Sequence, residues 1–313
     1  MSSSTRRQFL GSVAVGIAAA SRVASGSETD STANTPDVPD DEAANQVAIL
    51  NDSHIGEDHA PGHVHPENLR AAVKQLCTLP ERPAAVIING DLAMSVGTPG
   101  DYRSFASLIE PLREAGLPVH LTLGNHDTRT EFLRAFADVP SATQFKNHRH
   151  NGVVDLPHAR LVLLDSLKET PAAPGRLGDE QIAWLLEQID AQTQKPVVLV
   201  AHHNPRIGGD PAHFPGGVVD TDAFWPELVK RPQLKGYIHG HVHDWTLGMD
   251  SGIHIINTLA SAMVADKAVS TNGWTMATFY REGVALKVHT YLPDHPWSGE
   301  RKWLYWRQPK QKG

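Results

Sequence analysis

The stretch Val47-Ala48-Ile49-Leu50-Asn51-Asp52-Ser53-His54 is a short apolar run that ends in an acid and a histidine. Val and Ile favour β-strands, so the run predicts a buried strand and the polar residues lie in the loop that follows it. Asp52 and His54 are two residues apart. On an extended backbone both side chains then point to one face, with Cα atoms about 6–7 Å apart. The pair can therefore bind one ion.

Four more polar blocks follow along the chain, each after an apolar or β-branched run. They are Gly90-Asp91, Gly124-Asn125-His126-Asp127, His202-His203 and Gly240-His241-Val242-His243. In open α/β sheets, ligands bind outside the carboxyl ends of the strands. Five strands that each end in a nitrogen or oxygen donor therefore predict one shared metal site.

The residue types narrow the choice of metal. Imidazole and carboxylate together suit Zn, Fe or Mn, and the lack of nearby thiolates argues against a structural zinc ribbon. His241 and His243 are also two residues apart, a spacing that can instead serve two ions about 3.5–4 Å from each other. A carboxylate between the two sets, such as Asp91, can bridge both ions.

Taken singly, each block has a simpler structural interpretation. Asp52 or Asp91 alone is typical of a turn or a helix cap, and a Gly-Asn-His-Asp stretch alone is an ordinary turn composition. A lone His-His pair is typical of a strand end that faces solvent. Together and in order the five blocks favour the metal site, because five buried polar clusters without a metal would be costly to desolvate.

The five blocks resemble the motifs of the calcineurin-like metallophosphoesterases, D-x-H, G-D, G-N-H-D/E, H and G-H-x-H, in particular the class III cyclic-nucleotide phosphodiesterase branch. The resemblance covers roughly residues 46–291. It implies an α/β fold, a four-layer α/β/β/α sandwich of two mixed sheets flanked by helices. It implies a first ion held by Asp52, His54, Asp91 and His243, and a second held by Asp91, Asn125, His202 and His241. It also implies His126 as the catalytic histidine, with Asp127 beside it as an orienting acid.

The implied activity is hydrolysis of a phosphodiester, with a 3′,5′-cyclic nucleotide as one candidate, by a hydroxide that bridges two divalent ions (Mn, Fe or Zn). Two alternatives stay open: a phosphomonoesterase acting on small phosphate esters, and a non-catalytic, metal-holding scaffold of the same fold. The complete ligand set and the His126-Asp127 pair favour an enzyme.

Two positions limit the resemblance. Met94 stands where the purple acid phosphatases of this family have a Tyr, which disfavours the iron-tyrosinate subgroup. In the His-His pair the family places the ligand on the first residue, His202. His203 becomes a ligand only if the preceding strand runs one residue longer.

Length and charge fit a single enzyme domain. The 313 residues suffice for one α/β domain with a sizeable core. The net charge is −7, so we expect no surface for nucleic acid. The resemblance implies a small-molecule phosphoester as the substrate. The motifs G-x-S-x-G, G-x-G-x-x-G and the P-loop are absent from the sequence, which argues against serine hydrolases, dinucleotide enzymes and nucleotide kinases.

The N-terminal residues resemble an export signal. The stretch Ser4-Thr5-Arg6-Arg7-Gln8-Phe9-Leu10 is similar to a twin-arginine motif. The apolar residues 9–20 are too few for a membrane span, and small residues at 24–26 offer a cleavage site. We therefore predict a signal peptide at 1–26, use of the twin-arginine translocase, a periplasmic or extracellular location, and no stable membrane span after cleavage.

The rest of the chain divides into a linker and a catalytic domain. Residues 27–45 hold six acids and no base, which predicts a disordered linker, and residues 46–313 form the domain. Helices are predicted at 66–78, 101–115, 130–138, 178–192 and 222–230, and adjacent antiparallel strands at 253–257, 274–280 and 284–291. Two segments have open roles: the loop with His59, His63 and His65, and the tail with Trp297, Trp303 and Trp306, either of which can contact substrate or serve only as a solvated loop or a packed tail.

Overall fold

The computed structural model describes residues 42–137, 143–144, 149–208 and 216–308. The described residues all belong to one compact unit, Pro39–Gly313. The predicted signal peptide and residues 27–41 of the predicted linker lie outside the described residues. The linker was predicted to extend to residue 45, but Ala43–Asn45 form a short 3-10 turn. Asn45 is buried there and its Oδ1 accepts the backbone N–H of His158 at 2.8 Å, so the folded part begins earlier than predicted.

The first sheet has six strands. Their spatial order is β13 (Arg301–Tyr305), β12 (Gly283–Thr290), β11 (Gly273–Phe279), β1 (Gln46–Asn51), β2 (Ala85–Asn89) and β3 (Val119–Thr122). The neighbours β1, β2 and β3 are parallel, whereas β11, β12 and β13 add antiparallel strands beyond β1. The sheet is therefore mixed, and three of its strands end at the same edge.

The second sheet has seven strands. Their order is β4 (Thr143–Gln144), β5 (His150–Asp155), β6 (Arg160–Leu164), β7 (Val197–Ala201), β8 (Leu234–His239), β10 (Ile253–Asn257) and β9 (Thr246–Asp250). The strands β6, β7, β8 and β10 are parallel. This sheet is also mixed, since β4, β5 and β9 pair antiparallel with their neighbours.

One strand prediction was wrong. Residues 274–280 and 284–291 do form antiparallel neighbours, β11 and β12, but residues 253–257 lie in the other sheet as β10. The reason is a two-residue turn at Ser251 and Gly252, both with positive φ (50° and 78°), which folds β9 and β10 into a hairpin. The hairpin holds β10 between β8 and β9, away from β11.

All five predicted helices are present. They are α1 (Val64–Cys77), α2 (Pro99–Glu114), α3 (Arg129–Ala135), α4 (Asp179–Asp190) and α5 (Thr221–Val229). The prediction placed the start of α2 two residues late because it missed a capping box. Thr98 Oγ1 accepts the N–H of Asp101 at 3.1 Å, and the carboxylate of Asp101 accepts the N–H of Thr98 at 3.0 Å.

Side chains alternate between the two faces of each strand, and their packing on both faces builds the predicted four layers. On β1, Val47 and Ile49 pack between the two sheets, whereas Ala48 and Leu50 pack under α1 and α2. On the far side, α4 and α5 cover the second sheet through Leu185 and other apolar residues. The α/β/β/α sandwich is therefore confirmed. In the described part of the chain, no helix has the length and apolar character that a membrane crossing needs.

The tryptophan-rich tail packs on the domain. Trp306 is 3% exposed and its Nε1 donates to the carbonyl of Tyr280 at 3.1 Å. Trp303 lies on β13 at the edge of the first sheet, and Trp297 packs against the core between the sheets. Of the two roles left open for this tail, packing is the one observed.

Candidate metal centre

Left-handed backbone marks the predicted ligand positions. Among the residues that the structure describes, six non-glycine residues have positive φ: Asp52 (51°), His54 (46°), Asp91 (47°), His241 (65°), His243 (56°) and Ser251 (50°). Five of the six are predicted ligands. Each such conformation costs of order 1–3 kcal/mol and persists only where the surrounding structure enforces it, most often at functional sites. The strain therefore points to this strand edge as the site.

The first predicted ligand set is a compact cluster. The ring atoms His54 Nε2 and His243 Nε2 are 3.3 Å apart. His243 Nε2 is 3.1 Å from Asp52 Oδ1, and His54 Nε2 is 3.6 Å from Asp91 Oδ2. One donor atom from each of these four residues lies within 4.8 Å of the others. Four donors from three loops thus converge on one point.

Asp91 also reaches the second predicted set. Its Oδ2 is 3.3 Å from His202 Nε2, in addition to the approach to His54. The other ring nitrogen of His202 donates to the carbonyl of Asn89 at 3.2 Å, which fixes the ring with Nε2 toward Asp91. A single carboxylate therefore lies between the two sets, as the spacing of the motifs predicted.

Asn125 and His241 complete the second set. Asn125 is 4% exposed, and its side-chain Oδ1 has no hydrogen-bond partner among the described residues. A buried amide oxygen without a partner costs about 1–3 kcal/mol, so a cation is a fitting occupant. His241 donates its backbone N–H to Asp52 at 3.1 Å, which links the two sets. On this donor chemistry the residues fit two divalent ions.

His203 lies with the second set. The sequence had predicted it as a ligand only if the preceding strand ran one residue longer. Strand β7 ends at Ala201, yet His203 is fully buried, and donor atoms of His202, His203 and His241 lie within 4.8 Å of one another. Its Nδ1 is hydrogen-bonded to Ser166 Oγ at 2.8 Å, and the ring also interacts with the backbone of Ala173. The adjacent His-His pair was the sequence signal for this residue.

Charge is balanced across the cluster. Burial raises the pKa of Asp52 and Asp91, but nearby histidines outweigh it and hold both pKa values below their usual range. Burial lowers the pKa of His202, but Asp91 and Asp52 raise it to about 9. Burial alone dominates at His54 and His241, with pKa values of about 4 and 3. The cluster thus offers two carboxylates and two neutral imidazoles, which is the ligand state for a cation.

His126 lies just outside the ligand cluster. Its Nδ1 is 2.9 Å from the carbonyl oxygen of Ser95, and because a carbonyl only accepts, Nδ1 carries a proton. Its other ring nitrogen, Nε2, lies 4.0 Å from Asp91 Oδ2. The side chain is 32% exposed, so this nitrogen is open to a reactant.

Asp127 does not orient His126 directly, so that expectation is corrected. Its buried carboxylate accepts the backbone N–H groups of Gly124 (2.9 Å), Leu92 (3.2 Å) and Ala93 (3.2 Å), and the hydroxyl of Tyr102 (3.2 Å). It thereby joins the loops after β2 and β3. Burial and the neighbouring Asp91 raise its pKa to about 7. The imidazole is instead oriented by the carbonyl of Ser95.

Two tyrosines adjoin the site, and both hydroxyls bind elsewhere. Tyr102 contacts Asp127 and accepts the N–H of Thr128 at 2.8 Å, while Tyr237 donates to the carbonyl of His203 at 2.9 Å. Neither hydroxyl makes a hydrogen bond to a predicted ligand side chain among the described residues.

A buried polar ladder lies beneath the cluster and was not predicted. Asn89 Nδ2 donates to Asn51 Oδ1 at 2.9 Å and to the carbonyl of Ala201 at 3.0 Å. Thr122 Oγ1 donates to Asn89 Oδ1 at 2.7 Å, and Asn51 Nδ2 donates to the carbonyl of Thr258 at 3.1 Å. The ladder joins the carboxyl ends of strands from both sheets. It fixes the edge on which the ligands lie.

A largely apolar cavity opens beside His241. Its volume is about 610 Å³, and its described lining includes Pro205, Ile207, Leu247 and Ile255. Ligand pockets typically have volumes of 300–1,000 Å³ and mostly apolar walls. Because His241 belongs to both the cavity wall and the second ligand set, the cavity adjoins the candidate metal centre.

A family model described as "Calcineurin-like phosphoesterase" matches residues 46–245, a range that includes every predicted ligand. The chain is 27% identical over 249 residues to the 3′,5′-cyclic adenosine monophosphate phosphodiesterase CpdA of Vibrio vulnificus, which covers 74% of this chain and 86% of that protein. It is 30% identical over 177 residues to the glycerophosphodiester phosphodiesterase GpdQ of Enterobacter lignolyticus, with 56% and 61% covered.

Solved structures show the same fold. A dimetal phosphatase from Danio rerio superposes with a TM-score of 0.65 at 16% sequence identity, over 85% of this chain and 100% of that one. At this identity the likeness establishes the architecture of two sheets and flanking helices. It agrees with the sandwich described above.

Proposed function

Because this chain belongs to the calcineurin-like phosphoesterase family and is a metal-dependent phosphoesterase, we propose that it hydrolyses a small phosphodiester with two divalent ions. The proposal rests above all on Asp91, whose Oδ2 lies 3.6 Å from His54 Nε2 and 3.3 Å from His202 Nε2. One acid that reaches both sets is what a two-ion site needs. Mn, Fe and Zn are the candidate metals on ligand type.

The residues divide the work as follows. Asp52, His54, Asp91 and His243 would hold one ion, and Asp91, Asn125, His202 and His241 would hold the other, with His203 beside this second set. When bound, the two ions supply Lewis-acid activation of the phosphoester and of the attacking water. Asp91 and Asp52, both ionised, compensate the positive charge that this chemistry requires.

His126 supplies the proton for the leaving group. Its Nδ1 is held by the carbonyl of Ser95, so only Nε2 can take up and release a proton toward the centre. General acid catalysis by such a group is typically worth 10²–10⁴-fold. Asp127 acts indirectly, because it fixes the two loops that carry Asp91 and His126.

The cavity supports a phosphoester with an organic group as the substrate. A phosphodiester retains an organic group on each side of phosphorus, and the space of about 610 Å³ beside His241 accommodates one of them. A 3′,5′-cyclic nucleotide is the candidate we favour, since a relative of that named activity aligns over 86% of its length. A phosphomonoesterase and a non-catalytic scaffold are the two competing functions.

One assay separates these three functions. The purified protein is loaded in turn with Mn, Fe, Co and Zn and tested on bis-p-nitrophenyl phosphate, p-nitrophenyl phosphate and cyclic AMP. We expect turnover of bis-p-nitrophenyl phosphate and of cyclic AMP to exceed that of the monoester in kcat/KM. Preference for the monoester would indicate a phosphomonoesterase. No turnover with any metal would indicate a scaffold.

We also propose that residues 1–26 direct export through the twin-arginine translocase to the periplasm or the extracellular space. The support is the Arg6-Arg7 pair and the apolar run at 9–20 that follows it. These residues lie outside the part of the chain that the structure describes.

A further inference from the structure

Three histidines cluster beside the metal centre without belonging to it. His59, His63 and His65 lie between β1 and the first turn of α1, in the pattern H-x-x-x-H-x-H. One nitrogen from each ring lies within 4.8 Å of the others. The ring centroids are 4.1 Å (His59–His63), 4.6 Å (His63–His65) and 5.4 Å (His59–His65) apart. The rings thus pack together instead of spreading into solvent.

A shared carbonyl fixes two of the rings. The backbone oxygen of His54 is 3.1 Å from His59 Nε2 and 3.1 Å from His65 Nδ1. Because a carbonyl only accepts, each ring donates through that nitrogen. The lone pair is then left on the opposite nitrogen, Nδ1 of His59 and Nε2 of His65. In metal-binding histidines one nitrogen is typically held by such a carbonyl, which leaves the other nitrogen for the metal.

The third ring is held more weakly. His63 is the residue that caps α1, and its Nδ1 accepts the backbone N–H of His65 at 3.3 Å. This is the longest of the three hydrogen bonds and the only one in which the ring accepts. An ion bound by His63 therefore replaces one weak contact.

We propose that His59, His63 and His65 form a third, mononuclear metal site for a borderline divalent ion such as Zn²⁺. Three imidazole nitrogens and one open position are a common zinc arrangement, and hard ions such as Mg²⁺ or Ca²⁺ do not prefer all-nitrogen ligands. His59 and His63 are half-buried, so an ion can reach them from solvent. The site has its own ligands, because none of its three histidines belongs to the set of Asp52, His54, Asp91 and His243 or to that of His202, His203 and His241.

This third ion would act on the centre through the backbone. The carbonyl that holds His59 and His65 belongs to His54, a ligand whose φ is 46°. An ion that fixes both rings therefore also restrains the strained residue between them. The proposal itself is independent of which phosphoester is hydrolysed.

The test removes two of the three rings and keeps the helix cap. The variant His59→Ala/His63→Asn retains a good capping side chain, because Asn is among the preferred residues at that position. After loading with Zn²⁺ and desalting, elemental analysis should give three zinc ions per chain for the unaltered protein and two for the variant. The matched control is His295→Ala, whose ring likewise accepts a backbone N–H two residues on, at 3.2 Å. It should keep three.

A second measurement isolates the third site. Asp91→Ala removes the acid shared by the two catalytic ions but leaves the histidine cluster intact. Loaded with Co²⁺, this variant should retain one ion with the strong visible absorption of four-coordinate cobalt, and adding His59→Ala/His63→Asn should abolish it. Equal zinc content in the double variant and the unaltered protein, or no cobalt absorption in Asp91→Ala, would overturn the third site. Neither result bears on phosphodiester hydrolysis.

Discussion

At the scale of single residues, His126 offers the sharpest test of mechanism. Its Nδ1 is fixed by Ser95 and its Nε2 faces the centre, so we predict that it protonates the leaving group and does not bind a metal. We expect His126→Ala to keep its metal and to lose about 10²–10⁴-fold in kcat on an ester with a poor leaving group. A p-nitrophenyl ester, which needs less protonation, should lose much less.

The comparison of leaving groups is the measurement that decides this role. Metal content by elemental analysis is the control, because a variant that lost its ions would lose activity for another reason. Equal losses on alkyl and p-nitrophenyl esters would show that His126 acts in substrate binding or electrostatics.

His202 gives a prediction about pH. Burial lowers its pKa, but Asp91 and Asp52 raise it to about 9, so in protein stripped of metal the buried ring is protonated at neutral pH. A metal ion must displace this proton, and metal affinity should therefore fall as pH falls below about 9. Calorimetric titrations of Zn²⁺ in buffers with different ionisation enthalpies should reveal proton release near pH 7. Release of no protons would contradict the charge state assigned to His202.

The same shift affects the stability of the stripped protein. A folded pKa raised above the unfolded value near 6.5 gives stabilisation that is fully present below 6.5 and is lost as pH rises through about 9. Bound metal replaces the proton and should remove this loss. Thermal unfolding measured against pH, with and without chelator, should therefore show this loss of stability only in the metal-free protein.

At the scale of elements, the turns after the strands depend on glycines that leave room for ligands. A Cβ on Gly124 would lie 2.1 Å from Asp91 Oδ1 and 2.4 Å from the backbone nitrogen of Asp91. Gly124 has no left-handed φ, so its replacement acts by steric overlap alone. We expect Gly124→Ala to displace Asp91 and to lose both catalytic ions and nearly all turnover.

A matched glycine is available for this experiment. Gly248 on β9 has its nearest neighbours 3.9 Å from an added Cβ, which is ordinary contact, and it also lacks positive φ. Gly248→Ala should therefore keep its metal content, which is the control readout because Gly248 also lines the cavity beside His241. Full metal content in Gly124→Ala would show that the loop after β3 moves freely and that the glycine is not required.

The helices, strands and loops also show which parts of the fold and of the site could be predicted from the sequence. Strand ends and helices were predictable because apolar runs, Gly and polar blocks are local signals. The ladder of Asn51, Asn89 and Thr122 was not, because it joins residues far apart in sequence. The location of β10 was also missed, although Ser251-Gly252 was a local hairpin signal. Asp127 was expected to orient His126 because the two residues are adjacent in sequence. Only the folded loops show that its carboxylate binds backbone N–H groups instead.

At the scale of the whole molecule, neither sheet holds a complete site. The first sheet supplies Asp52, Asp91 and Asn125 from the ends of β1, β2 and β3, and the second supplies His202 and His241 from β7 and β8. The parallel strands of both sheets therefore have to end at one edge before an ion can be held by all of these residues. Ions bound there stabilise the assembled sandwich over its unfolded chain.

Because the metal site forms only in the folded protein, the state in which the protein is exported matters, and the export route can be tested. Twin-arginine substrates cross the membrane folded, so an enzyme that acquires its metals on folding can be loaded before export. We expect Arg6→Lys/Arg7→Lys to leave active protein in the cytoplasm, because the paired arginines are the element that the translocase receptor recognises. The control Arg22→Lys changes an arginine of the same segment outside the pair and should be exported normally. Cell fractionation with a phosphodiesterase assay measures both, and export of the double variant through the general secretory route would refute the twin-arginine assignment.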